Sequence, residues 1–364
     1  MIRDSSYRIA IVKDFLPVMR GAEKVLEAWC EVWPRAEIFA LFHTPGALTP
    51  TIESHPIRTS FLQRFPAIHS KYPNYLPFMP SAIETFDLRG YDVVLSMSQC
   101  VAKGAVTDAL HVCYCLTPMR YVWDMVDEYF GTGLKRALAA PLIRYLRNWD
   151  VATVPRVHRW LAISNEVKDR IRRRYDRPSE VLFPPGDDAF YTPADVPRED
   201  WYLAVGALVP YKRLDRAIEA CRALGRKIKV IGTGSHEKRF RALGYAEFLG
   251  WQPGEVIRDH YRRCRALLFP GEEDFGIVPV EAQLCGAPVV ALAKGGALDT
   301  VTEQTGVLYR DSLTEAIRAF EARRIDPAAC RANALRFTRE GHKREIREAV
   351  ERALEEHRRD SRQH

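Results

Sequence analysis

Two carboxylates, Glu273 and Glu281, stand with seven residues between them in Pro270-Gly-Glu-Glu-Asp-Phe-Gly-Ile-Val-Pro-Val-Glu281-Ala-Gln-Leu-Cys-Gly286. The apolar run Ala266-Leu-Leu-Phe269 before them reads as a buried strand. A helix follows, and Pro279 suits its first turn, where a missing N–H costs nothing. The spacing therefore predicts Glu273 in a loop and Glu281 in the first helical turn. Gly276 lets the backbone approach a ligand, and the N–H groups of residues 276–278 would face an anion. Two acids framing a phosphate-ready helix start suit a ligand with hydroxyls at both ends and phosphate in the middle, which is the layout of a nucleotide-sugar. The same residues also read as an ordinary strand, loop and helix with solvated acids.

The rest of the chain alternates strands and helices in two halves, an α/β pattern of parallel sheets. Tyr7-Arg-Ile-Ala-Ile-Val12 reads as a buried strand, and a helix opens at Gly21, giving a second place for phosphate or sugar. Glu37-Ile-Phe-Ala-Leu-Phe42 is the next strand. Tyr91-Asp-Val-Val-Leu-Ser96 runs into Gln99, and Ala109-Leu-His-Val-Cys-Tyr-Cys115 runs into Leu116 and Arg120. Trp160-Leu-Ala-Ile-Ser-Asn165 ends at Ser164. Sites in open parallel sheets lie at the carboxyl ends of the strands, so Gln99, Leu116, Arg120 and Ser164 are candidates for one cleft. His111 falls inside a strand pattern and reads as packed rather than catalytic. Pro184-Pro-Gly-Asp-Asp188 marks a boundary. The alternation restarts with strands 201–205, 227–231, 247–251 and 289–292, with glycines at 206, 232, 234, 250, 295 and 296 near their ends. The expected division is residues 1–184, residues 185–340, and a charged helix over 341–364.

Glu273-Asp-Phe-Gly-Ile-Val-Pro-Val-Glu281 resembles the E-x7-E signature of family 4 retaining glycosyltransferases of GT-B fold. Thr117-Pro-Met-Arg-Tyr-Val-Trp-Asp124 is similar to a segment of their bacterial GDP-mannose-dependent mannosyltransferases, which act in O-antigen and exopolysaccharide synthesis. The resemblance implies two Rossmann-like domains facing across a cleft, with the donor held by the second and the last helix crossing back to the first. It implies that Lys212 and Arg213 hold the leaving diphosphate, that Glu273 meets the sugar and that Glu281 meets the ribose. Phe275, Gly276 and Ile277 would offer backbone N–H groups, Gly21 would approach the donor, and Gly250 and Trp251 would lie near the base. Retention by a front-face reaction leaves the acceptor's proton to the leaving phosphate. No Asp-x-Asp pair ends a strand, so neither a metal nor another cofactor is expected.

The chain departs from this family at several positions. Arg20-Gly21 stands where two glycines are usual, and Ala207 stands where an arginine is usual. Lys13, Gln99 and Leu116 occupy places where histidines are usual, and the histidine at the leucine's position meets the transferred sugar. Two readings stay open: a working transferase, or a donor-binding subunit without catalysis. Another nucleotide-sugar enzyme of related fold, an epimerase or a phosphorylase, is a further alternative, although the extra acids, histidines or cofactor lysine it would need are not evident.

The 364 residues carry a formal charge of +7, with basic clusters at 170–174, 227–229, 258–265 and 343–359. Nucleic acid, an anionic membrane or an anionic substrate would each suit that charge, but no nucleic-acid motif accompanies it. The eight cysteines are scattered without metal spacing and read as reduced structural thiols. The absence of any apolar run of roughly 18 residues points to the cytoplasm, with association at the inner membrane face open. Residues 57–86 are aromatic, basic and proline-rich; they suit either an acceptor lipid or membrane surface, or a pair of helices with a local core. The expected partners are a nucleotide-sugar and a lipid-linked or oligosaccharide acceptor.

Overall fold

The computed structural model describes residues 7–363, with side chains to residue 360. It divides into two compact units, Met1–Phe183 with His342–His364, and Pro184–Gly341. The first holds a seven-stranded parallel sheet of order β3-β2-β1-β4-β5-β6-β7. Its strands are β1 Ile9–Lys13, β2 Glu37–Ala40, β3 Ile57–Thr59, β4 Val93–Ser98, β5 Leu110–Cys115, β6 Arg159–Ala162 and β7 Glu180–Val181. The second holds a six-stranded parallel sheet of order β10-β9-β8-β11-β12-β13. Its strands are β8 Trp201–Val205, β9 Lys227–Ile231, β10 Glu247–Gly250, β11 Leu267–Phe269, β12 Val289–Leu292 and β13 Gly306–Tyr309. Both units are Rossmann-like. β1, β4 and β5 are buried along their whole length, as expected of central strands covered by helices on both faces.

The closing helix Arg339–Gln363 packs on the first unit. Trp29 Nε1 donates to His342 Nε2 at 3.1 Å, so the proton of this neutral ring sits on Nδ1, 2.8 Å from the Phe183 carbonyl. Lys343 pairs with Glu31 at 3.1 Å and Arg352 with Glu180 at 2.7 Å.

Residues 57–86 do not fold as the pair of helices that one of the two readings gave them. Prolines at 66, 73, 77 and 80 restart the backbone every few residues, leaving β3 and a string of one- and two-turn segments. Leu62, Ile68, Met79 and Ile83 enter the core of the first unit, and Phe65, Tyr72, Tyr75 and Phe86 pack against it. Tyr72 lies 4.8 Å from the Phe15 ring. Phe61 and Phe78 remain exposed.

His111 is buried in β5 between Ser96 Oγ, 2.8 Å from Nε2, and the Arg156 carbonyl, 3.1 Å from Nδ1. A carbonyl only accepts, so Nδ1 carries the proton and Nε2 accepts from the serine hydroxyl. Burial pushes the pKa of this imidazole down to about 3. An unfolded histidine titrates near 6.5, so the unfolded chain binds the extra proton first as pH falls. The stabilisation from a neutral His111 is whole above about pH 6.5 and declines by roughly 1.4 kcal/mol per pH unit toward pH 3. Denaturant unfolding at pH 7.5 and 5.0 should show about 2 kcal/mol of loss in the wild type that His111→Gln lacks. An equal loss in the variant would assign the acid sensitivity to other groups.

Candidate functional site

In the second unit the loops after β8, β9, β11 and β12 interlock at the carboxyl end of the sheet. After β8, the turn Pro210–Lys212 leads to Arg213, whose φ of 51° places it in the left-handed region, and the helix Leu214–Leu224 begins there. A non-glycine residue pays about 1–2 kcal/mol for that conformation, which fixes where its side chain leaves the loop. After β11, the Glu273 carboxylate forms an ion pair with Lys212 Nζ. The Glu273 carbonyl accepts from Gly296 N at 2.9 Å. This docking requires Gly295 and Gly296. A Cβ on Gly295 would lie 2.2 Å from the Glu273 oxygen, and one on Gly296 would lie 2.1 Å from the Phe275 oxygen. The strand-end glycines thus lock the loop that carries Glu273, a role the sequence pattern did not reveal.

Gly276, with φ of 81°, starts the helix Ile277–Leu284, and no side chain caps that start. The N–H groups at Gly276 and Ile277 therefore belong to an uncapped helix N-terminus, the arrangement that suits an anion. The Phe275 side chain is buried against Phe337, with ring centroids 5.5 Å apart, so this residue can present only its backbone to a ligand. Glu281 is the fifth residue of the helix and lies in its second turn, not its first. The helix opens directly after left-handed Gly276, two residues before Pro279. Glu281 is buried, with the Tyr261 hydroxyl 3.4 Å from Oε2 and the Tyr191 hydroxyl also bonded to it. Burial, and then the carboxylate's charge, push both phenols upward in pKa, so they stay protonated and donate to Glu281. These tyrosines come from a separate loop and helix, and no spacing or motif signals that they meet at one acid.

β10 is one edge strand of the second sheet. The Gly250 carbonyl accepts from Gly232 N at 2.8 Å, and Trp251 beyond it is 73 % exposed. Its indole face is open to a flat ligand.

The remaining candidates lie in the first unit. β4, β5 and β6 are neighbours in parallel register, which brings Gln99, Leu116 and Ser164 to the same end of the sheet. The Asp14 carboxylate, fully buried at the end of β1, accepts from the backbone N–H groups of Gln99, Cys100, Val101 and Ala102 at 2.6–3.1 Å. That fixes the loop carrying Gln99. Leu116 N donates to the Ser98 carbonyl at 2.8 Å, and Arg120 opens the short helix Arg120–Trp123. Ser164 is fully buried and its hydroxyl caps the helix Asn165–Tyr175 by accepting from Val167 N, which is a folding role. Gly21 opens the helix Gly21–Val32 with open space where a Cβ would stand. Lys13 is wholly buried, its ammonium 3.6 Å from the Glu23 carboxylate. Among the described residues no three His, Cys, Asp or Glu side chains converge as a metal site.

Residues 195–337, which contain every second-unit candidate, match the family described as Glycosyl transferases group 1. An uncharacterized glycosyltransferase of Methanocaldococcus jannaschii is 33% identical over 108 residues, covering 28% of this chain and 31% of its own length. A D-inositol 3-phosphate glycosyltransferase of Geodermatophilus obscurus is 36% identical over 149 residues, covering 34% and 33%. The chain thus spans about a third of the length of these curated relatives. Likeness of fold runs much further. The Anabaena protein HepE, crystallised with UDP and glucose, superposes with a TM-score of 0.69 at 17% identity, covering 95% of this chain and 99% of its own. A sucrose-phosphate synthase from Thermosynechococcus elongatus gives 0.68 at 16%, covering 95% and 98%. The fold is that of the GT-B glycosyltransferases.

Proposed function

We propose that the protein is a retaining glycosyltransferase whose second unit holds a nucleotide-sugar donor, with GDP-mannose the favoured donor and a lipid-linked or polysaccharide acceptor. The observation that carries the reading is the Lys212–Glu273 pair, with the Glu273 loop locked by Gly295 and Gly296, beside the uncapped helix start at Gly276. The match over residues 195–337 supports the class of reaction. The crystal structure of HepE with UDP and glucose supports a nucleotide-sugar as donor. Mannose and guanine rest on the resemblance carried by residues 117–124.

In this reading the bond between the sugar's anomeric carbon and the diphosphate oxygen breaks as a bond to the acceptor oxygen forms on the same face. The acceptor's proton passes to the leaving phosphate. Lys212 and Arg213 stabilise the negative charge that grows on the diphosphate, and the N–H groups at residues 276–277 add the positive end of a helix. Glu273 accepts from a sugar hydroxyl while its partner Lys212 reaches the phosphate, coupling recognition of the sugar to departure of the leaving group. Glu281, steadied by Tyr191 and Tyr261, accepts from the ribose hydroxyls. A second reading, a donor-binding subunit without turnover, is favoured by Leu116, whose side chain has no polar atom to offer a sugar.

A thermal-shift screen of GDP, UDP, ADP and TDP sugars tests the donor site. One nucleotide-sugar should raise the unfolding temperature, and Glu281→Gln should weaken its binding at least tenfold, because a charge-assisted hydrogen bond contributes about 1.5–3 kcal/mol. No shift with any nucleotide-sugar, or unchanged affinity in the variant, would contradict the assignment.

A further inference from the structure

The helix Leu134–Ala152 exposes two leucines on consecutive turns, Leu134 at 77 % and Leu138 at 75 %. At about 100° per residue, Leu134, Leu138 and Tyr145 fall within an arc of roughly 40° and form a stripe about 17 Å long. Tyr145 is itself exposed. Ile143 on the opposite side, and Leu146 about a quarter-turn round from the stripe, are buried in the first unit, so the stripe faces outward. Lys135 and Arg144 flank it on either side; both are exposed, and neither makes an ion pair among the described residues. Arg136 pairs with Asp127 at 2.7 Å, and Arg147 Nε donates to the Val122 carbonyl. From Leu134 to Trp149 the helix carries four cations and no acid; its one acid, Asp150, is fully buried.

We propose that this helix face is a docking surface for an anionic phospholipid bilayer. Leucines on one line with a tyrosine beside them, and cations at the flanks, match the side of an interfacial helix that enters the headgroup–acyl boundary. Charge complementarity selects the occupant. A second copy meeting this face about a two-fold axis would set Lys135 and Arg144 against the same cations, a like-charge contact. A bilayer of anionic lipid meets both the apolar stripe and the cations. The surface goes beyond the proposed reaction and does not depend on it. It also places the membrane contact apart from residues 57–86, where Phe65, Tyr72, Tyr75 and Phe86 are partly buried against the core.

The full-length chain is sedimented with vesicles of phosphatidylcholine containing 30 mol% phosphatidylglycerol, and with phosphatidylcholine alone, at about 0.1 M salt. Binding to the anionic vesicles should be at least tenfold tighter and should be reversed by high salt, since each cation near such a surface contributes about fivefold. Leu134→Ser with Leu138→Ser should weaken it at least tenfold, and Lys135→Glu with Arg144→Glu at least as much. All four side chains are exposed, so unfolding temperatures should match the wild type. Phe61→Ser with Phe78→Ser should bind as the wild type does. Equal partitioning onto both vesicles, wild-type binding by either helix variant, or loss of binding only in the phenylalanine variant would overturn the proposal. So would a chain that ignores both vesicles while the leucine variant alters its sedimenting mass, which would make the face a protein interface.

Discussion

Glu273→Gln should lower sugar transfer by about 10²–10³-fold while changing affinity for the free nucleoside diphosphate by less than about threefold. Glu273 meets Lys212 in an ion pair, and its backbone is fixed by Gly296. Glutamine keeps the shape but removes the charge that, in the proposed reading, accepts from a sugar hydroxyl and orients the lysine. A free diphosphate has no sugar to lose, so its binding reports only the lysine. Isothermal titration of both ligands, with kcat/KM for the intact donor, separates the two effects. Equal losses for both ligands would move Glu273 off the sugar.

Leu116→His should raise turnover by about tenfold over a low wild-type rate, the worth of one added hydrogen bond of roughly 1.4 kcal/mol. Leu116 is buried at the end of β5, next to the loop that Asp14 anchors through four backbone N–H groups. That scaffold leaves the position rigid, and an imidazole of similar bulk can enter without rebuilding it. Transfer and slow donor hydrolysis are measured for both proteins. A wild type with no turnover and a variant with none, both folded and both binding donor, would make the chain a binding subunit.

Much of this arrangement was legible before the fold was known. β8, β9 and β12 are short, largely apolar runs, and their period and bounding glycines mark them as buried strands. The spacing of Glu273 and Glu281 likewise places both acids on one loop-and-helix segment, although the helix begins earlier than Pro279 suggested and moves Glu281 into the second turn. What was hidden depends on contacts distant in sequence. Asp14 holds N–H groups of residues 99–102, and Tyr191 and Tyr261 meet Glu281 from outside its helix. Gly295 and Gly296 look like turn residues until the loop docked on them is seen. In the helix Leu134–Ala152, apolar residues that a pattern would assign to the core face outward instead, because only Ile143, Leu146 and Asp150 are buried there.

The proposed reaction transfers a sugar with retention of its anomeric configuration. The direct measurement is proton NMR of the protein incubated with GDP-mannose, following the anomeric signals of donor and product. The expected result is release of GDP with a mannosyl product, or slowly formed free mannose, that first appears as the α-anomer of the donor. A β-anomer as first product, or no turnover of any nucleotide-sugar by folded, donor-bound protein, would contradict it.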